Sequence, residues 1–185
     1  MRARLLLRSL FARPLTMPTP RPDPALPLES EDAMLAELGR ALEMRTRKLY
    51  GRSITIREVD AGSCNGCELE IHALNNPIYD VERFGIKFAA SPRHADVLLV
   101  TGPVTHNMRV ALERTYAATP GPKWVVAVGD CAAGCGVFAE SYATVGAVGS
   151  VVPVDLVLKG CPPKPVDLLK GLLTLMDKAT AKAAR

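Results

Sequence analysis

No stretch of this 185-residue sequence approaches the roughly 20 consecutive apolar residues that cross a bilayer, although 48% of its residues are hydrophobic. A buried core or a protein interface must absorb that apolarity. The body of the chain also lacks a dense basic patch. The net charge of +4 traces to Arg2, Arg4, Arg8, Arg13 and Arg21, all ahead of the first acid, Asp23, and the remainder is near neutral. That argues against nucleic acid as a main partner, because phosphate binding needs concentrated positive charge on the folded surface. The five cysteines, Cys64, Cys67, Cys131, Cys135 and Cys161, are too few, too unevenly spread and odd in number for a disulfide framework. The apolar run Leu5 to Leu7 is shorter than a secretory core, has no small-residue cleavage site after it and comes with no twin-arginine signal, so export is not expected and thiols should stay reduced unless a metal takes them. His72, His94 and His106 show no metal-site spacing, and there is no internal repeat.

The length suits one domain plus a tail. Residues 1–29 join an Arg-rich start to a proline-dense stretch from Pro14 to Pro27 that sustains neither a helix nor a central strand, and read as an arm and linker. Within the first dozen residues, Leu5, Leu6, Leu10 and Phe11 would share one side of a helix suited to a membrane interface or a partner groove; a mobile tail, or a true start at Met17, is the plainer reading. Ser30, the acids after it, and Met34, Leu35, Leu38, Leu42 and Met44 predict an amphipathic helix over residues 30–50, closed by Gly51. Residues 51–185 then alternate in type. Strands are expected at Ile54 to Val59, Val97 to Thr101, Trp124 to Val128 and Val154 to Leu158, with helices at Glu68 to Leu74, Met108 to Ala118 and Pro165 to about Lys178. This is the pattern of an α/β domain with a mainly parallel sheet and helices on both faces.

Ligands of such a sheet sit beyond the carboxyl ends of its strands. Cys64 and Cys67 follow the first expected strand, Cys131 follows Val128 and Cys161 follows Leu158, so three loops distant in sequence meet at one rim. The loop Gly102-Pro103-Val104-Thr105 would wall the same spot. Glycines 62, 66, 129 and 160 allow close backbone approach there, and their N–H groups would donate to cluster sulfurs. The spacing leaves two metals open. Cys-x-x-Cys suits tetrahedral zinc as well as an iron–sulfur cluster, but no second such pair exists, and single ligands on separate strand ends suit a cluster better than a zinc finger or ribbon. A dithiol of the thioredoxin kind would give Cys131 and Cys161 no task. Cys135 reads as a free, partly buried thiol. Glu68 is either a helix N-terminal carboxylate or a proton acceptor coupled to electron arrival; Glu70 reads as the former, and Asp60 and Asp130 as turn or cap residues.

The segments Asp60-Ala-Gly-Ser-Cys-Asn-Gly-Cys-Glu-Leu-Glu, Thr101-Gly-Pro-Val-Thr, Val128-Gly-Asp-Cys-Ala and Gly160-Cys-Pro-Pro resemble the small-subunit family shared by respiratory complex I and membrane-bound [NiFe] hydrogenases, from about Gly51 to Lys178. The resemblance implies a flavodoxin-like domain with one [4Fe–4S] cluster on Cys64, Cys67, Cys131 and Cys161; Glu68, Asp60, Asp130 and Thr105, which flank those positions in the sequence, are the expected proton-coupled or supporting residues around it. It implies an electron-transfer subunit of an oxidoreductase complex, with no complete active site of its own. Complex I members usually carry adjacent cysteines at the first position; here Asn65 and Gly66 intervene, as in the hydrogenase branch. That favours a membrane-associated, energy-converting [NiFe] hydrogenase of the formate-hydrogenlyase type, with a subunit of NADH-quinone oxidoreductase, passing electrons to quinone, as the alternative and a zinc-stabilised binding module as the remote one. The partners implied are a large catalytic subunit, a ferredoxin-like subunit and membrane subunits, on the cytoplasmic face of the inner membrane. Lys159 stands where that family often has proline and Cys135 where it often has glycine.

Overall fold

A computed structural model describes residues 28–183, with side chains placed from residue 33 to residue 181. The expected arm, up to residue 27, lies outside the described residues. Helix α1 (Leu28–Tyr50) begins two residues before Ser30, which therefore sits inside its first turn and not at its cap. The chain from Ala33 onward forms one compact unit. Its elements are β1 (Ile54–Asp60), α2 (Gly66–Ala73), β2 (Ile86–Phe88), β3 (Val97–Thr101), β4 (Val104–Thr105), α3 (His106–Ala118), β5 (Trp124–Val128), α4 (Asp130–Gly134), β6 (Thr144–Gly146), β7 (Leu156–Leu158) and α5 (Pro165–Ala183).

Five strands pair in parallel in the order β2-β1-β3-β5-β7. This is the doubly wound, flavodoxin-like order, in which the chain reverses direction across the sheet between β1 and β3. The expected α/β fold with a mainly parallel sheet is therefore present. Short β2, the antiparallel pair β4 and β6, and the single-turn α4 were not foreseen, because elements of two to five residues are too brief for hydrophobic periodicity to register.

Side chains alternate across the central strands, and each face has its own core. Val97, Leu99, Trp124, Val126 and Val128 point to one side with Ile54 and Ile56, under Leu35 and Leu42 of α1, Ile71 of α2 and Leu168, Leu169, Leu172, Leu175 and Met176 of α5. Leu98, Val100, Val125 and Ala127 point to the other, with Val59, Leu112 of α3 and Ala132 of α4. Strands β3 and β5 are buried along their whole length, as strands covered on both faces must be. Trp124 belongs to the core, its indole N–H donating to the Tyr50 hydroxyl at 3.1 Å. At the opposite strand ends, Asp96 accepts two bonds from the Arg52 guanidinium, at 2.9 and 2.6 Å, and one from the Thr55 N–H at 2.9 Å, holding β1 and β3 in register.

That register sets the level of the rim. Asp60 pairs with Thr101, Thr101 with Val128, and Val128 with Leu158, so the last residues of four parallel strands lie in one row. Truncating the α5 side chain that seals this core, Leu172→Ala, should lower unfolding free energy by about 2–5 kcal/mol in urea titrations, the usual range for a fully buried leucine.

Candidate metal centre

Three loops leave that row and each delivers cysteine. In the first, the Asp60 carboxylate accepts N–H bonds from Gly62 and Ser63, both at 2.7 Å, and turns the chain back over the sheet. The Ser63 hydroxyl accepts from Asn65 N–H at 3.1 Å, and Asn65, in left-handed conformation (φ 70°), starts α2. Cys64 thus precedes the helix and Cys67 lies in its first turn. Thr105 braces this loop from behind: its N–H and hydroxyl both reach the Ala61 carbonyl, at 2.9 and 3.1 Å. It does not border the cavity described below. Gly102 does, and a Cβ there would stand 2.5 Å from the Ser63 nitrogen.

In the second loop Gly129 adopts φ 90°, ψ 160°, a region essentially restricted to glycine. A Cβ on it would fall 2.6 Å from Cys67 Sγ. Asp130 follows and ties the second loop to the third: its N–H donates to the Gly160 carbonyl at 2.9 Å, and its carboxylate accepts from the Gly160 N–H at 3.0 Å. Cys131 and Cys161 are positioned as one unit by that bracket.

Cys64, Cys67, Cys131 and Cys161 border a single cavity of about 130 Å³, with Ser63, Gly102, Asp130 and Pro162 among its other walls. The structure therefore brings together the four thiols expected to meet. Among the described residues no group of three or more His, Cys, Asp or Glu side chains is placed to hold a single metal ion; the thiols ring a space instead. Cys64 and Cys161 are exposed, Cys67 and Cys131 half-buried. Burial, then the charges of Glu68 and the other three cysteines, pushes the Cys67 thiol up to about 12. Cys131 is also raised, by burial and by Cys161 and Cys64, against the opposing pull of a Val137 N–H. Each sulfur is thus within electrostatic reach of others, and soft sulfur donors so grouped suit a thiophilic metal centre whose positive charge would offset the thiolates.

Cys135 is buried and ends α4 in left-handed conformation (φ 66°), a position where glycine is the usual residue. It does not border the cavity. His94 and His106 are exposed and also lie off it. Glu68 is turned inward, 8% exposed, with both carboxylate oxygens lacking a hydrogen-bond partner among the described residues. Sequence reasoning missed its neighbour Glu58, whose carboxylate stands 3.7 Å from His72 Nε2. The signal was available: Glu58 continues the inward phase of Ile54 and Ile56, so an acid occupies an apolar position.

With rim and cavity defined, the class of protein follows: residues 64–175 match the family of the NADH ubiquinone oxidoreductase 20 Kd subunit, and the chain belongs to it. It is 47% identical over 131 residues to the probable membrane-bound hydrogenase subunit mbhJ of Pyrococcus furiosus, covering 71% of this chain and 78% of that protein. Formate hydrogenlyase subunit 7 of Escherichia coli is 46% identical over 124 residues, 67% of this chain and 49% of that protein. Among solved structures, a chain of the membrane-bound sulfane sulfur reductase, an archaeal respiratory membrane complex, superposes with a TM-score of 0.62 at 34% identity, covering 75% of each chain. These relatives are subunits of oxidoreductase complexes. Among the described residues, no helix of this chain is long and apolar enough to cross a membrane.

Two substitutions test the geometry. Gly129→Ala should reduce iron and sulfide retained after anaerobic reconstitution several-fold while leaving far-ultraviolet circular dichroism intact, because the added methyl, 2.6 Å from Cys67 Sγ, would push that sulfur out of position. Asp130→Ala should lower the urea midpoint by an amount equivalent to about 1 kcal/mol, one net hydrogen bond, and speed alkylation of Cys161.

Proposed function

We propose that this chain is the electron-transfer subunit of a membrane-associated, energy-converting [NiFe] hydrogenase and carries one [4Fe–4S] cluster on Cys64, Cys67, Cys131 and Cys161. One observation carries the reading: four thiols from three loops, separated by up to 97 positions in sequence, border one cavity at the carboxyl rim of the sheet. When bound, such a cluster supplies one-electron exchange between two oxidation states.

The chain's own residues supply the rest. Gly129 and Gly102 let backbone come close to the sulfurs and to the first loop. Asp60 and Asp130 hold the loops in shape. Pro162 and the apolar body of the cavity keep water away from one side. Cys67 and Cys131 lie in the first turns of α2 and α4, and because burial and neighbouring negative charge raise both thiols, a positively charged metal centre would be what draws them into the thiolate form.

The exposed rim points to a covering partner. Cys64 and Cys161 are open to solvent in the isolated chain, and Leu69 and Val137, each close in sequence to a ligand, are exposed apolar residues. A large catalytic subunit would close this side, with a ferredoxin-like subunit as the other redox partner and membrane subunits anchoring the assembly. The chain would then be peripheral, on the cytoplasmic face of the inner membrane. The expected division is an arm, a leading helix and the iron–sulfur domain (51–185), with the helix boundary moved from residue 30 to Leu28, where α1 begins. The separation of Cys64 from Cys67 by two residues, together with the hydrogenase and hydrogenlyase names of two relatives, favours the hydrogenase over the quinone-reducing alternative.

The test is anaerobic purification with iron and sulfide analysis and low-temperature electron paramagnetic resonance after reduction. The expected result is about four irons per chain, as one cubane cluster requires, and a reduced-cluster signal that is lost or altered in Cys161→Ser but kept in Cys135→Ser. Zinc in place of iron and sulfide, even after reconstitution, would sink the reading.

A further inference from the structure

The electron-carrier reading leaves two inward-facing acids without a task. Glu58 lies on β1 in phase with Ile54 and Ile56, and its side chain is 19% exposed. Its Oε1 is buried with no hydrogen-bond partner among the described residues. Its Oε2 stands 3.7 Å from His72 Nε2, a gap that a small rotation closes to hydrogen-bond distance. Glu68 and His72 are one turn apart on α2, hence neighbours on the helix surface, and Glu58 faces both from the strand. The Glu68 side chain is over nine-tenths buried and neither of its oxygens finds a donor. The His72 side chain, by contrast, is 73% exposed. A path of titratable groups therefore runs from solvent at His72 to a carboxylate in the core-facing layer, alongside the helix that bears Cys67.

The charges around Glu58 favour a bound proton there. Burial raises its proton affinity most, Glu68 and Asp60 raise it further, and His72 and Arg57 oppose them. Structural stability offers no reason for the arrangement, because a buried oxygen without a donor is destabilising.

We propose that Glu58 is a proton-binding site, loaded and emptied through His72, that takes up a proton as negative charge arrives at the cysteine rim. In uptake, the proton bound to His72 Nε2 passes to a Glu58 carboxylate oxygen, and the neutral imidazole regains a proton from water; release is the reverse. No electron moves in this exchange. The electron reaching the rim comes from the one-electron donor of the complex, and the proton offsets its charge. The purpose of the site rests on the electron-carrier reading, but its proton chemistry does not.

Two measurements on the full chain separate these. Infrared pH titration of the wild type should show a carboxylic acid band that persists above the range of surface glutamates and vanishes in Glu58→Gln. His72→Ala should move its titration to higher pH, since an opposing positive charge is removed, and Glu68→Gln to lower pH, since a negative one is. A band that survives in Glu58→Gln, or that titrates with the bulk carboxylates, overturns the proposal. With the cluster loaded, its reduction potential should fall with rising pH across the same interval in the wild type and lose that slope in Glu58→Gln; equal slopes overturn the coupling. A chain that binds no iron yet shows the Glu58 band refutes the electron-carrier reading and leaves the proton site standing.

Discussion

The alignment of four parallel strand ends is the constraint on which the site depends. Because Asp60, Thr101, Val128 and Leu158 lie in one row, every loop that follows starts from the same height, and residues nearly 100 positions apart are neighbours without a long excursion of backbone. An antiparallel sheet would send alternate loops to opposite edges. Parallel pairing is slow to form, and the sheet is sealed chiefly by α5, after the last strand, and by α1, before the first, while the crossover helices α2 and α3 add Ile71 and Leu112. Fold and site thus share one cause. Close approach is the second requirement, met at Gly102 and Gly129, where any side chain would collide with the Ser63 backbone or with Cys67 Sγ.

How far this was legible varies with the physical signal. The long strands β1, β3 and β5 and the helices α1, α3 and α5 announced themselves by periodic apolar residues, and the convergence of Cys64, Cys67, Cys131 and Cys161 followed from their place after those strands. The short pieces were hidden. Strand β2 is only Ile86–Phe88, and α4 is a single turn opened by Gly129 and Asp130, so tertiary hydrogen bonds define them and not local preference. The rim loop at Gly102 divided: its glycine borders the cavity, whereas Thr105 turns away into β4 and braces the Ala61 carbonyl. Nothing in the sequence marks that difference, because it depends on an antiparallel partner, β6, contributed forty residues later. The bracket between Asp130 and Gly160 is similarly non-local.

The electrostatics of the rim run in opposition. Helix N-termini at Cys67 and Cys131 favour thiolate, yet burial and neighbouring negative charge raise both thiols. The balance favours protonated sulfur in the bare chain, so ligation must release protons, and a positively charged centre is what reverses the sign. Asp60 and Asp130 add negative charge to the same rim, but both are tied into N–H bonds that hold the loops. Glu68 has no such bond. It faces inward beside Cys67 and raises the proton affinity of sulfur and of Glu58 alike.

That asymmetry distinguishes Glu58 from a chance polar residue in a core. An acid in the inward phase of a strand is disfavoured by desolvation, and an apolar side chain of similar size would remove the penalty. Local rules of patterning are obeyed along the rest of β3 and β5, whose residues are all buried and nearly all apolar. The buried acid Asp96, at the other end of the strands, is paired with Arg52; among the described residues the buried carboxylate oxygens without a donor belong to Glu58 and Glu68, beside the cysteine rim. Violations confined in this way are expected where function, not stability, selects the residue. The exposed imidazole of His72 completes the argument: it sets a titratable group, open to water, beside a partly buried carboxylate whose Oε1 has no donor among the described residues.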